Sequence, residues 1–114
     1  PMQNATFTLR DLSVDPIEPA DLLIVRDVMG HLPYKDAINL LRINKDKCKY
    51  MLLTHFDQSR NEEIDAGQWY PIDLIKYPFS LGSAVLELTF ENPKAQGISS
   101  DKMLVLVDTK KIDI

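Results

Sequence analysis

Apolar and polar side chains alternate along the first dozen residues: Phe7 and Leu9 fall on one side of an extended chain, Thr6, Thr8 and Arg10 on the other. That period of two predicts a half-buried strand over Ala5–Leu12. Asp11, Asp15, Pro16 and Pro19 then break the pattern. The next run, Leu22 to Val25 within Asp21–Arg26, is apolar at every position. A short run of that kind predicts a strand buried on both faces, as in a parallel sheet covered by helices.

After Asp27 the chain turns through Val28-Met-Gly-His-Leu-Pro33, and Pro33 suits the first position of a helix, where no N–H donor is needed. From Tyr34 to Asn44, Tyr34, Ala37, Ile38 and Leu41 recur at helical spacing, with Lys35, Asp36, Asn39 and Arg42 opposite them. Lys49–Phe56 is a second strand apolar on both faces, so a strand–helix–strand unit with parallel strands is the expected arrangement. The periodicity vanishes from Asp57 to Ser83, a long loop whose aromatic residues predict that part of it packs down. Ala84–Glu91 alternates, with Leu86, Leu88 and Phe90 against Glu87 and Thr89, and Met103–Val107 is uniformly apolar. These two should form an antiparallel hairpin around a polar loop over Asn92–Lys102. The last strand should lie inside the sheet, and its half-wet predecessor at the edge.

At 114 residues the chain is large enough for a single domain with a core. The net charge of −4 argues against general nucleic-acid binding, and no apolar run is long enough to span a bilayer. A single cysteine, Cys48, cannot form an internal disulfide, which fits a reducing, cytoplasmic setting.

The strand order, with a last antiparallel strand inserted inside the sheet, resembles the second half of the class I S-adenosylmethionine-dependent methyltransferase fold. Ala20-Asp-Leu-Leu-Ile-Val-Arg-Asp-Val-Met-Gly-His-Leu32 looks like the fourth strand and following turn of these enzymes. Arg10-Asp-Leu-Ser-Val-Asp15 looks like the end of their third strand. Thr54-His-Phe56, Gly67-Gln-Trp-Tyr-Pro-Ile-Asp-Leu74 and Tyr77-Pro-Phe79 resemble a subgroup with a Gly-Trp-x-Pro loop after the fifth strand. The resemblance implies an α/β fold: the C-terminal portion of a Rossmann-like methyltransferase sheet, residues 1–114 forming one partial domain. Such domains hold their cofactor with a glycine-rich loop that lets backbone approach the ligand closely. The four glycines here, Gly30, Gly67, Gly82 and Gly97, are scattered, so that loop is absent from this sequence.

The resemblance further implies S-adenosylmethionine as cofactor and methyl transfer to an acceptor, a small molecule or one of unknown class. Asp11, Arg26, Asp27 and Val28 would line the cofactor side, and Trp69 and Tyr70 the substrate side. Asp27 and His31 are the candidates for proton handling, histidine having a pKa suited to a general base. Each has a plainer role open to it. Asp11 and Asp27 are at home in turns, His31 before Leu-Pro commonly caps or packs, and Trp69 with Tyr70 can plug a loop onto a sheet. His55 and Cys48 lack metal-ligand spacing with any second Cys or His pair, so no metal site is expected. A different class of function is a noncatalytic interaction module with the same fold, associating with itself through an exposed strand edge.

Overall fold

A computed structural model describes residues 5–92 and 102–114. The central unit accords with the pattern. Strand β1 (Ala20–Val25) leads through a 3-10 turn at Met29–His31 into helix α1 (Tyr34–Asn44), which returns the chain to strand β2 (Cys48–Phe56). β2 pairs in parallel with β1, in register Leu23↔Met51 and Val25↔Leu53. Pro33 stands immediately before the helix, and Lys45 N–H closes its far end on Leu41 O. β3 (Val85–Asn92) and β4 (Lys102–Asp108) complete a mixed four-stranded sheet in the order β1-β2-β4-β3. β4 is antiparallel to both neighbours, so the last strand lies inside the sheet and its predecessor forms an edge. The polar stretch over residues 93–101 falls outside the described residues.

One face of the sheet carries the core. Val25, Met51, Leu53, Val105 and Val107 pack against Ala37, Leu40 and Leu41 of α1 and against Ile72, Leu74, Phe79 and Leu81 of the long loop. The loop does pack down as its aromatics suggest, with Phe79 meeting Tyr34 edge-to-face at 6.0 Å. Asn44, fully buried at the end of α1, donates to Leu12 O (3.0 Å) and Leu40 O (2.8 Å) and accepts from Ile17 N–H (2.8 Å). It ties the segment before β1 to the helix.

Three expectations are corrected. Ala5–Leu12 forms no strand. Residues 5–10 run without a backbone hydrogen bond among the described residues, and Phe7 and Leu9 are 83% and 102% exposed. A strand needs a neighbour to take its N–H and C=O groups, and among the described residues none bonds to this segment. β1 is not buried on both faces: Leu22 and Ile24, like Tyr50 of β2, are exposed, because α1 and the loop cover a single side of the sheet. On β3, Glu87 and Thr89 are wet as expected, but Leu86, Leu88 and Phe90 are exposed as well. Leu88 and Phe90 sit opposite Val105 and Met103 on the core side, and the covering layer stops short of the edge strand.

Candidate functional site: the turn after the first strand

In open α/β sheets, ligands gather at the C-terminal ends of parallel strands, where backbone turns away and side chains converge. Here that position is the turn Arg26-Asp27-Val28. Asp27 adopts a left-handed backbone (φ 60°), a region aspartate tolerates better than most residues. Its N–H donates to Thr54 Oγ1 at 2.8 Å, pinning the turn to β2. Arg26, Asp27, Glu91 and Lys102 form a closed ring of alternating charge. Lys102 Nζ lies 2.6 Å from Asp27 Oδ1 and 3.5 Å from Glu91 Oε2, and Arg26 reaches Glu91 and, at 3.9 Å, Asp27 Oδ2. The hydrogen bond to Asp27 raises the Lys102 ammonium above the ordinary lysine range against the opposing effect of desolvation. Glu91 Oε2 is buried without a hydrogen bond, so Lys102 is its electrostatic partner. Nothing in the local pattern near Asp27 points to Glu91 and Lys102. Only the inserted position of β4 and the neighbouring β3 bring them there.

Next to this turn the long loop docks through close backbone contact. Tyr70 N–H donates to Gly30 O at 2.9 Å, and a Cβ on Gly30 would stand 2.7 Å from Tyr70 O and 3.0 Å from Trp69 Nε1. The close approach requires glycine at this position. Trp69 stacks edge-on against Phe56 at 6.1 Å and leaves about half its surface to solvent, at 45% exposure. The Tyr70 hydroxyl donates to Arg60 O, and burial, then nearby Glu62, pushes its pKa up. Trp69 and Tyr70 thus serve as the loop's plug, with the exposed part of the indole available to a ligand. His31 is exposed on the 3-10 turn, with no side-chain hydrogen-bond partner among the described residues.

Asp11 is not brought to this turn. It accepts from Ser13 Oγ (2.7 Å) and Ser13 N–H (3.0 Å), which lower its pKa, the hydroxyl most. Its neighbours Leu12 and Ser13 are tied to Asn44 and Asn39 of α1. Asn44 lies at the end of α1 that leads into the start of β2, whereas Asp27 follows the end of β1. With no strand over residues 5–12 to carry it, Asp11 closes a turn, as shown by Val14 and Asp15 N–H donating to its carbonyl.

A second polar cluster escapes motif reading because its members lie far apart in the chain. His55, fully buried, accepts from Leu74 N–H through Nδ1 (3.1 Å), which leaves Nε2 to carry the proton and donate to Asp57 Oδ1 (3.1 Å). Buried Asp73 accepts from Ile75 N–H (3.0 Å) and Gln58 N–H (2.9 Å), with Lys76 Nζ at 3.4 Å. Ligand atoms of His55, Asp57 and Asp73 come within 4.8 Å of one another, close enough to surround a cation. However, the His55 and Asp73 acceptors already serve backbone N–H groups. The cluster therefore clasps the loop to the end of β2. Comparison with protein-family models, curated proteins and solved structures found no match to this chain.

Proposed function

We propose that this chain is the C-terminal portion of a class I S-adenosylmethionine-dependent methyltransferase domain, contributing the Arg26–Val28 turn to a cleft shared by cofactor and substrate. The observation that carries the reading is the sheet order β1-β2-β4-β3, with the last strand antiparallel and inserted, and with β1 ending on an aspartate held in a left-handed turn. In this reading the Asp27 carboxylate accepts hydrogen bonds from the cofactor, Arg26 and Val28 flank it, and the half-exposed Trp69 face and Tyr70 wall the acceptor side. His31 and Asp27 are the groups positioned to take a proton from the acceptor. The cofactor supplies an electrophilic methyl group. Transfer of that methyl to an acceptor's lone pair would need chiefly proximity and alignment, which the Arg26–Val28 turn and the Trp69 face would supply.

In this reading the residues present would line one side of that ligand. Gly30, the glycine nearest the turn, has its Cβ space filled by the Trp69–Tyr70 backbone and indole rather than left open as a cradle. This chain is therefore expected to hold the cofactor weakly, in the millimolar range, since much of the usual contact surface is missing. Cys48 is buried, and burial pushes its thiol pKa up. No helix among the described residues is long and apolar enough to cross a membrane.

The test is an amide and indole chemical-shift titration with S-adenosylmethionine. Shifts clustered at Arg26–Val28, His31 and the Trp69 indole are expected. Shifts elsewhere, or none at millimolar ligand, would remove this reading. Micromolar affinity would overturn the view that the chain supplies only one wall.

A further inference from the structure

We propose that two copies of this chain exchange their N-terminal arms, residues 5–10 of each pairing along the free edge of β1 in the other. The exchange concerns the 114-residue chain by itself; in the methyl-transfer reading the same edge of β1 would face the rest of the domain. The donor is an extended segment of alternating pattern with its backbone groups unpaired and Phe7 and Leu9 in solvent. The acceptor is a six-residue strand that, among the described residues, is paired on one side only. An exposed strand edge is a template for a further strand.

The two edges of the sheet are not equivalent. Along β3 the register shifts twice, between Val85 and Glu87 and between Phe90 and Asn92, and irregularity of that kind blunts an edge. β1 keeps regular register with β2 from Ala20 to Val25. A groove of about 460 Å³ separates β1 from its own arm, lined by Thr6, Thr8 and Arg10 on one side and Leu22 and Leu23 on the other. The arm is fixed at its base: Arg10 donates to Pro16 O at 2.8 Å, and Leu12 O is held by Asn44. It stands beside the edge without reaching it.

Charge and area favour a second copy. Ala5–Leu9 and Leu22–Val25 carry no charged residue, so no like charges meet when they pair. Donor and acceptor occur in every copy, so a twofold exchange closes on itself. Each arm brings Phe7 and Leu9 against Leu22 and Ile24 as well as a strand edge. Two exchanges remove on the order of 1,200 Å² of surface, the lower end for a stable specific interface.

Sedimentation equilibrium of the full chain over a wide concentration range tests this. A species of twice the 13.0 kDa chain mass is expected. Phe7→Lys with Leu9→Lys should weaken dimerisation about a hundredfold. The helical circular dichroism signal and the unfolding midpoint of the monomer should stay unchanged, because neither residue touches the core. Mixing Leu9→Cys chains with chains carrying Leu22→Cys or Ile24→Cys should give a disulfide between copies, since these side chains share one face. A chain that stays monomeric at all concentrations overturns the proposal and hands the edge of β1 to a different occupant. A dimer indifferent to the two lysines, or a Leu9→Cys/Ile24→Cys double variant that closes within one chain, overturns it equally.

Discussion

On the face of the sheet that carries α1, Val25, Met51, Leu53, Val105 and Val107 are all buried, whereas on the opposite face Leu22, Ile24 and Tyr50 stand 43%, 57% and 42% exposed. The strands are the same and the residue types are similar. What differs is the second layer: α1 and the loop after β2 both settle on one side. Hydrophobicity along a strand reports what its side chains would gain from burial, while burial itself depends on an element that comes from elsewhere in the chain.

Substitutions break that comparison in order of size. In the monomer, at protein concentrations below any self-association, Leu53→Ala on the covered face should cost about 3 kcal/mol, the transfer and cavity terms together, whereas Ile24→Ala on the open face should cost less than about 1 kcal/mol. Urea unfolding of both variants checks this, and equal losses would mean that the open face is covered in solution. Asp73→Ala should cost about 2–3 kcal/mol, because the Gln58 and Ile75 N–H groups lose a buried acceptor. Amide exchange should quicken at those positions before it does in β2.

Lys102→Met removes the cation at the centre of the ring on the open side. The contact with half-exposed Asp27 is screened, but Glu91 Oε2 loses its buried partner, so the loss should be about 2 kcal/mol. Because the folded-state pKa of Lys102 is raised, its contribution is complete below the ordinary lysine pKa and fades as pH climbs through the folded value. Wild type and variant should therefore converge in stability at strongly alkaline pH. The smallest effect is at exposed Asp11. Its pKa is lowered, so its contribution is present above the ordinary carboxylate pKa and disappears as pH falls through the folded value. Asp11→Asn should differ from wild type slightly at neutral pH and not at all in strong acid, as followed by thermal melts.

Much of the fold is legible locally. The helix over Tyr34–Asn44 and the strands around Leu22–Val25, Lys49–Phe56 and Met103–Val107 announce themselves by period and length. The inside position of β4 accords with its uniformly apolar run, whereas β3, expected to have one wet face, is exposed along both. Ala5–Leu12 shows where that reading stops, because alternation prepares a strand but cannot supply its partner. The site divides in the same way. Arg26, Asp27 and Val28 can be placed from the strand end they follow, but Glu91 and Lys102 reach them only through sheet order. His55 and Asp73 meet across a loop without periodicity. Asp11 illustrates the reverse, a residue assigned to the cleft on the assumption of a strand that does not form.

The contact of Gly30 with the loop gives the molecule an optical probe. Trp69 is the chain's single tryptophan, and its indole nitrogen lies 3.0 Å from the space a Gly30 Cβ would fill. Emission from this one fluorophore therefore tracks whether the loop is seated on the turn, without a label. A methyl group added at position 30 would have to displace Tyr70 O or the indole and shift the spectrum toward that of a water-exposed ring. The same emission offers a continuous readout of anything that binds beside Asp27.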